Sequence, residues 1–443
     1  MALPRILLVT SELFPEFGVP TAGGGVRAQQ LYHSIQEKGY SVELALWRPA
    51  AEYKSLPDWA TRYLYSQPYL DGTIEQADPD IVLSESWECL SHLKHDDNRI
   101  YIVDCPGPLV LENLVGREPN LRGYIHHKIR TLARMDAVLC PSSRMKSYLT
   151  GYLTLAGWQP NDSKRLIEVP ISLPEETPVR SPRKPDNPLQ FFMGGVNWSW
   201  HRTSEWLTKL GDWFGSEEGR GTLSVRMGHH PLLPPESEAP FENLKRHPSI
   251  RFSELTDFDT LTQELLGMDV AIDWSPVHFE RNLATPFRII NYLWCGLPVI
   301  VRPHLEVSGL IHEYGAGWVV ESWEELEDLL TSLHANPSLV EKPSMQAQRL
   351  AREKFSWPSA HSGLMEFFEN PSLRDKKPSY LMHAAQTFRD YQLELEQRNV
   401  GYKAMEEELG QIRQRLSEFE ADANAYRNLK QRFHYRLWKK IFG

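Results

Sequence analysis

Residues 280–300 read ERNLATPFRIINYLWCGLPVI, which sets an acid, a Thr-Pro turn and an arginine directly before an apolar run. The run RIINYLW has the spacing of a buried helix, and LPVIV at 297–301 has the length of a buried strand. The closeness of Glu280 and Arg288 to this helix predicts a ligand site at its entrance. A local ion pair between the two side chains is the alternative interpretation.

Buried strands alternate with helices on both sides of this segment, and such alternation predicts parallel sheets with crossover helices. In the first half, the helical stretch 27–38 separates the first two of the runs RILLVT (5–10), SVELALW (41–47), DIVLSE (80–85), RIYIVD (99–104) and AVLCPS (137–142). After a proline- and charge-rich stretch the pattern restarts with LQFFMGG (189–195), LSVRMG (223–228), IRFSE (250–254), VAIDWS (270–275) and LPVIV. The sequence therefore predicts two doubly wound α/β domains that face each other across a cleft.

The domain boundaries follow from these shifts in composition. They are residues 1–175 for the first domain, 176–188 for the linker, 189–354 for the second domain, 355–377 for a helix that returns to the first domain, 378–426 for a coiled coil and 427–443 for a basic amphipathic tail.

Composition excludes several classes of protein. The 443 residues carry a formal net charge of −10, which argues against a general nucleic-acid binder because phosphate binding needs a basic surface. The four cysteines show no CxxC pair and no zinc spacing, so they are expected to be core thiols in a reducing compartment. No apolar run is long enough for a signal peptide or a membrane span, and a cytoplasmic location is expected.

Glycines follow the first strand of each predicted domain. Gly23, Gly24 and Gly25 precede a helix expected to begin near Arg27, and Gly194 and Gly195 end the strand LQFFM. Glycine lets the backbone approach a ligand closely, and the free N–H groups of a helix start favour an anion. Each glycine segment alone is more often a simple turn, but two segments that face one cleft favour a ligand site.

The segments RILLVTSE (5–12), GGGVRAQQLYHSIQEKGYSVEL (23–44), FFMGGVNWSWH (191–201), MDVAIDWSP (268–276) and 280–300 resemble retaining glycosyltransferases with the GT-B architecture. The chain is especially similar to the bacterial group 1 enzymes that build surface polysaccharide, over about residues 4–370. The wider family has one glutamate that contacts the donor sugar and a second, five residues before the Gly-Leu-Pro glycine, that contacts the ribose. Here these positions are Leu283 and Asn291, so the sequence departs from the family at both carboxylates.

The resemblance assigns site residues for a nucleotide-sugar donor. Thr285, Pro286, Phe287 and Arg288 would bind the diphosphate, Asn291 the ribose, and Glu280 the sugar. For Asn291 the alternative is a plain position on the outer helix surface. The family's basic diphosphate clamp is replaced by the segment that holds Asn197, His201 and Arg202, of which the last two are candidate substitutes. Asp104 ends the run RIYIVD, close to where relatives place a cleft histidine, so it is a candidate catalytic residue or else a turn cap, and Glu112 is a weaker candidate.

No metal or other cofactor is expected beyond the nucleotide sugar, which is the substrate. The acids Asp78 and Asp80 read as a loop that enters a strand rather than as a metal site. Stabilisation of the departing diphosphate is the main chemical task of a retaining transferase.

An uninterrupted heptad pattern runs from Leu381 to Phe433, with polar exceptions at Arg398 and Lys430. Its length favours self-association over a helix that packs on the chain's own surface. No acid follows Asp422, and the basic and aromatic residues of 427–443 suit an anionic membrane surface. Peripheral contact with the inner face of the plasma membrane is therefore expected.

The sequence predicts a retaining glycosyltransferase that transfers a sugar to a glycan or a lipid-linked glycan in cell-surface polysaccharide synthesis. A nucleotide-sugar epimerase of the same fold is one alternative, because it would use the same cleft. A non-catalytic coiled-coil assembly protein is another, because the family's acidic pair is missing.

Overall fold

The structure is a computed structural model that describes residues 3–94, 98–116, 120–183, 187–198, 203–216, 220–232, 239–376 and 380–442. The chain divides into two units, residues 1–379 and 380–443. The first unit contains both sheets, and the second is a single helix.

The first domain contains a parallel sheet, with seven strands among the described residues, in the order β3-β2-β1-β4-β5-β6-β7. The strands are β1 (Arg5–Thr10), β2 (Ser41–Trp47), β3 (Tyr63–Tyr65), β4 (Ile81–Ser84), β5 (Ile100–Asp104), β6 (Ala137–Cys140) and β7 (Leu166–Glu168). The helices are α1 (Gly23–Glu37), α2 (Arg48–Glu52), α3 (Asp58–Thr61), α4 (Leu70–Ala77), α5 (Leu109–Gly116), α6 (Leu121–Arg134) and α7 (Ser143–Leu155).

The second domain contains another parallel sheet, six-stranded within the described residues, in the order β10-β9-β8-β11-β12-β13. Its strands are β8 (Gln190–Val196), β9 (Thr222–Gly228), β10 (Ile250–Ser253), β11 (Val270–Asp273), β12 (Val299–Val301) and β13 (Gly317–Val319). The helices are α8 (Thr203–Gly215), α9 (Ala239–Arg246), α10 (Phe258–Leu266), α11 (Phe279–Leu283), α12 (Phe287–Trp294), α13 (Ser308–Tyr314), α14 (Trp323–Ala335) and α15 (Glu341–Lys354).

The predicted α/β fold with two parallel sheets is confirmed, and the predicted runs lie on the observed strands to within one or two residues. The structure adds β3, β7 and β13, which are edge strands of three residues each. It also moves the start of α1 from the expected Arg27 to Gly23, so the three glycines form the first turn of this helix.

Two short helices, α16 (Trp357–Ala360) and α17 (Ser362–Glu369), follow α15. Leu364 and Phe368 of α17 lie in the hydrophobic core of the first domain, where the rings of Phe368 and Tyr40 are 5.3 Å apart. The chain therefore returns to the first sheet after completing the second domain. The second unit is α18 (Tyr380–Phe442), an uninterrupted helix of 63 residues.

A buried ion pair joins α1 to the end of β5. Arg27 Nε lies 2.6 Å from Asp104 Oδ2, Arg27 Nη2 lies 3.1 Å from Asp104 Oδ1, and both side chains are fully buried. Arg27 also donates to the Pro170 carbonyl, at 3.1 Å. Removing one member of such a pair leaves an uncompensated buried charge.

We expect Asp104→Asn to lower the free energy of unfolding by about 3–5 kcal/mol, measured by urea denaturation. Asp78→Asn is the matched control because Asp78 pairs with Arg5 at 3.1 Å on the surface. Asp78 has a φ of 45°, which asparagine also adopts, so the control should change stability by less than about 1 kcal/mol. Equal effects of the two variants would contradict the structural role of Asp104.

Candidate active site

A cleft of about 400 Å³ lies between the two sheets. Loops that follow the carboxyl ends of parallel strands build its walls, as expected for open α/β sheets. The first domain contributes Ser11 and Glu12 after β1, Glu85 and Ser86 after β4, and Pro106 and Gly107 after β5. The second contributes the end of β8 and the residues from Glu280 to Tyr292 that line the cleft, namely Glu280, Arg281, Ala284, Thr285, Pro286, Phe287, Arg288, Ile290, Asn291 and Tyr292.

Two of the three predicted glycines of α1 line the cleft. A Cβ at Gly23 would lie 2.7 Å from the ring of Phe287 in the other domain, so only glycine permits this approach of the two domains. Gly24 also lines the cleft. Gly25 does not, because it packs on the first domain, where a Cβ would lie 2.0 Å from the Leu13 carbonyl oxygen.

The end of β8 is bonded to α12 through Tyr292. The amide of Gly194 donates to the Tyr292 hydroxyl at 2.9 Å, and this hydroxyl donates to the Gly194 carbonyl at 3.0 Å. Gly195 has a φ of 124°, and a Cβ there would lie 3.2 Å from Arg288 Cζ. Glycine at 195 therefore gives the Arg288 guanidinium room to lie against the strand end.

The entrance of α12 carries the residues predicted for the donor. Its N-cap is Pro286, with no side-chain cap, and Arg288 Nη2 donates to the Val196 carbonyl at 3.1 Å. Thr285, Pro286, Phe287 and Asn291 line the cleft beside Arg288. Asn291 is only 7% exposed and accepts a weak hydrogen bond from the Cys295 thiol, so it is a cleft residue and not an outer helix surface.

Arg281 is a cleft residue that sequence reasoning missed. Its Nη2 donates to Asp273 Oδ1 at 2.6 Å, and its Nε donates to Ser275 Oγ at 2.9 Å. Burial would raise the pKa of Asp273, but Arg281 and Arg288 together hold it below its usual value. The signal in the sequence was the aspartate at the end of a buried strand, since such a carboxylate requires a cation nearby.

Five glutamates line the cleft: Glu12, Glu85, Glu88 and Glu112 form the first-domain wall, and Glu280 lies on the second-domain side. Burial and the charge of Glu12 raise the pKa of Glu85 to about 8. Burial and the charges of Glu280 and Glu88 raise the pKa of Glu112 to about 8. At neutral pH this wall therefore contains carboxylic acids that can donate hydrogen bonds as well as carboxylates that accept them.

Hydrogen bonds beside the cleft tie the two domains together. Glu306 of the second domain accepts from the Ser143 hydroxyl at 2.7 Å and from the Arg144 amide at 3.2 Å, so it caps the start of α7. Arg144 Nη1 donates to the carbonyls of Asn282 and His304 at 3.0 and 2.6 Å. A second link joins Glu12 Oε1 to His230 Nε2, which lies 3.2 Å away.

Of the remaining predicted site residues, the structure places Glu112 in the cleft. The structure does not bring Asp104 to the cleft, because both of its carboxylate oxygens are bonded to Arg27. Glu112, the weaker candidate, lines the cleft instead. Asn197 continues the strand pairing, its amide donating to the Gly228 carbonyl at 3.0 Å, and it is not among the described cleft-lining residues. His201 and Arg202 lie outside the described residues.

Residues 273–345 match the family model described as Glucosyltransferase 3-like, C-terminal domain. This matched segment contains Glu280, Arg281, Arg288 and Asn291 of the cleft. No curated protein matches the chain significantly in sequence.

Solved structures share the two-domain architecture. Sucrose-phosphate synthase from Thermosynechococcus elongatus has a TM-score of 0.63 at 13% identity, and the match covers 82% of this chain and 98% of that one. HepE of Anabaena in complex with UDP-glucose has a TM-score of 0.58 at 11% identity, with 83% and 99% covered. WaaG, a glycosyltransferase involved in lipopolysaccharide biosynthesis, has a TM-score of 0.55 at 13% identity, with 80% and 98% covered.

The chain has the GT-B fold. Identities this low show a shared architecture only. The chemistry of the cleft must be inferred from the residues that line it in this chain. Those residues divide into a second-domain side with Arg281 and Arg288 and a first-domain wall rich in glutamate.

The stability of the GT-B chain should depend on pH through Glu85. Its carboxyl lies among Thr10, Ser11 and the Cys89 thiol, with Glu12 adding to its pKa, and it is only 3% exposed. The pKa of about 8 in the folded chain exceeds the ordinary value of 4.5, so this group stabilises the fold fully below about pH 4.5. That contribution is lost as the pH rises through about 8.

We expect the free energy of unfolding to fall between pH 5 and pH 9. In the Glu85→Gln variant this fall should be smaller, by on the order of a few kcal/mol. Denaturation followed by tryptophan fluorescence measures the slope. Exposed Glu313→Gln is the control and should keep the wild-type slope. An unchanged slope in Glu85→Gln would show that Glu85 is ionised in the folded chain at neutral pH.

Proposed function

We propose that the chain is a retaining glycosyltransferase that moves a sugar from a nucleotide-diphosphate sugar to a glycan or lipid-linked glycan in cell-surface polysaccharide synthesis. One observation carries the proposal. Arg288 lies at the uncapped entrance of α12, beside the glycine end of β8, within a cleft between two parallel sheets. A guanidinium and free helix N–H groups at one place suit a diphosphate.

The residues of the donor side account for the parts of a nucleotide sugar. Arg288 and the first N–H groups of α12 stabilise the negative charge that develops on the departing diphosphate. Asn291 offers a donor and an acceptor to the ribose hydroxyls, and Glu280 accepts hydrogen bonds from the sugar. A UDP-sugar is the first donor to test, because HepE was solved with UDP-glucose.

The glutamate wall is the acceptor side in this proposal. A phosphate or carboxylate on the acceptor would be repelled by Glu12 and Glu88 of this wall. Glu85 and Glu112, with pKa values of about 8, can donate hydrogen bonds to sugar hydroxyls. The reacting end of the acceptor is therefore an uncharged or amino-bearing sugar.

Arg288 and the helix N–H groups take the role that a metal ion has in other transferases. No group of three or more histidine, cysteine, aspartate or glutamate side chains in the described part of the chain could hold a metal ion. Asp80, in the DxD-like stretch, instead accepts from the Arg5 amide at 2.8 Å at the amino end of β4. We expect transfer to continue in excess chelator, with Arg288 supplying the positive charge.

One experiment separates this function from the two alternatives. Purified protein is incubated with a panel of nucleotide sugars, with and without a lipid-linked acceptor, and the nucleotide diphosphate and the sugar are analysed. A transferase releases nucleotide diphosphate in step with product, whereas an epimerase changes the sugar without an acceptor. An assembly protein consumes no donor.

Variants of the donor side should divide binding from transfer. We expect Arg288→Ala to weaken nucleotide diphosphate binding by about 1.5–3 kcal/mol, since a charge-assisted hydrogen bond is lost, as measured by calorimetry. Glu280→Gln should leave the affinity for free nucleotide unchanged and reduce the rate of transfer.

The control for Arg288→Ala is Arg251→Ala, on the exposed side of β10, which should bind as the wild type does. Unchanged affinity in a folded Arg288→Ala variant would remove Arg288 from the site. Loss of nucleotide binding in Glu280→Gln would contradict its role at the sugar.

The proposal includes self-association through α18 and attachment of the basic tail to an anionic membrane surface. No helix among the described residues is long and apolar enough to cross a membrane. The tail carries Arg427, Lys430, Arg432, Arg436, Lys439 and Lys440. Its side chains at 437, 438 and 441–443, which include Trp438 and Phe442, lie outside the described part.

We expect deletion of 427–443 to abolish sedimentation with anionic liposomes, because each basic residue near such a surface contributes on the order of 1 kcal/mol. Transfer to a soluble acceptor fragment should persist in the deletion variant. Neutral liposomes are the control and should not sediment the full-length protein. Full-length protein that remains in solution with anionic liposomes would overturn the membrane part of the proposal.

A further inference from the structure

Helix α18 presents a row of large, exposed apolar side chains. Met405, Leu409, Ile412, Leu416, Phe419, Tyr426 and Phe433 follow each other at steps of four and three residues, with Ala423 in the same row, and the large ones are 47–75% exposed. This spacing keeps all of them on one face of the helix. Burial of that face needs a partner helix.

The charges beside this row alternate in sign along the helix. On one side lie Glu408, Arg415 and Asp422, and on the other lie Glu406, Arg413, Glu420 and Arg427. All of these side chains are exposed. Among the described side chains of α18, no ion pair joins these charges to one another, so they remain available to a partner with the opposite alternation. A second copy of the same helix supplies the opposite charges whether it runs in the reverse direction or in parallel, so the charges alone do not decide the direction.

We propose that α18 pairs with α18 of a second copy in an antiparallel coiled coil. In its register, Met405 lies opposite Lys430 of the second copy, and Leu416 lies opposite Phe419 of the second copy. This inference specifies the self-association proposed above. In this register Arg415 meets Asp422 of the second copy, Arg413 meets Glu420, and Glu406 meets Arg427. Every one of these pairs beside the seam is then attractive, and each occurs twice because the arrangement is symmetric.

The register is determined by the charges. A slip of one heptad in one direction would place Arg415 opposite Arg415 and Arg413 opposite Arg413. A slip in the other direction would place Asp422 opposite Asp422 and Glu420 opposite Glu420. Like charges at such positions destabilise a helix pair by about as much as opposite charges stabilise it.

The direction is determined by side-chain volume and by Lys430. In a parallel coil each residue of the row meets its own copy, so Phe419 and Tyr426 would crowd while Ala423 left a gap, and Lys430 would face Lys430. In the antiparallel coil Phe419 meets Leu416, Tyr426 meets Leu409, and Ile412 meets Ala423. Each of these layers then combines a larger with a smaller side chain, and Lys430 lies beside Met405.

The arrangement has a consequence for the tails. The two basic tails form opposite ends of the coil, so both can reach one membrane only when the coil lies along its surface. The residues from 393 to 442 overlap in this register, a length of about 75 Å at 1.5 Å per residue.

The direction can be tested by exchanging two charges without changing composition. In the full-length protein, Arg415→Asp should weaken self-association about tenfold, and adding Asp422→Arg to the same chain should restore it, because the exchanged pair meets again in the antiparallel coil. In a parallel coil the exchange would instead place the aspartate introduced at position 415 by Glu420 and the arginine introduced at position 422 by Arg427, which weakens association further. Concentration-dependent light scattering measures the dissociation constant.

The matched control exchanges charges on the outer face of the same helix, Lys403→Glu with Glu407→Lys, and should leave association unchanged. A wild-type chain that stays monomeric at micromolar concentration would overturn self-association itself. Association that the double exchange fails to restore would overturn the antiparallel arrangement alone, and neither result bears on the transferase activity.

Cysteine cross-linking gives an independent readout. Ile412→Cys protein mixed with Ala423→Cys protein of different size should form a mixed disulfide, and Ile412→Cys alone should not, because its two copies are about 16 Å apart along the antiparallel coil. A parallel coil would reverse both results. The four natural cysteines are buried and free, so the parent chain should remain uncross-linked.

Discussion

The hydroxyl of Tyr292 is bonded to both the amide and the carbonyl of Gly194, and this pair of hydrogen bonds joins α12 to the end of β8. Tyr292 follows Arg288 by one helical turn, so the same pair determines where the guanidinium lies. Arg288 rests against Gly195 and donates to the Val196 carbonyl, at the place where the strand opens into the cleft. The whole of the proposed donor side depends on this junction of one strand end and one helix entrance.

The cleft has opposite chemical character on its two sides. Arg281 and Arg288 make the donor side positive, and their combined charge outweighs the effect of burial on the Asp273 carboxyl. The facing wall contains Glu85 and Glu112, whose raised pKa values follow from burial and from neighbouring carboxylates. In the proposed function, a nucleotide diphosphate and an uncharged sugar acceptor each find a complementary side.

The contacts between the domains determine how far apart these two sides lie. Glu306 caps the start of α7, Arg144 reaches two carbonyls of the second domain, and Gly23 allows Phe287 to approach. These contacts come from loops and helix ends rather than from the sheets. The sheets supply a rigid frame, and a few polar groups at the edge of the cleft position one frame against the other.

The sequence by itself determined the two parallel sheets, the GT-B resemblance and the segment 280–292 that lines the cleft, because buried strands and helix entrances leave local patterns of apolar residues, glycine and proline. It did not reveal β3, β7 and β13, since strands of three residues at a sheet edge are too short for a pattern. Only the tertiary structure decided that Asp104 belongs to a buried ion pair, while Arg281, Glu85 and Glu112 face the cleft. Their roles depend on partners far away in the chain: Asp104 binds an arginine 77 residues earlier. Burial and charge from such distant residues decide whether an acid supports the fold or faces a ligand, and no local pattern contains that information.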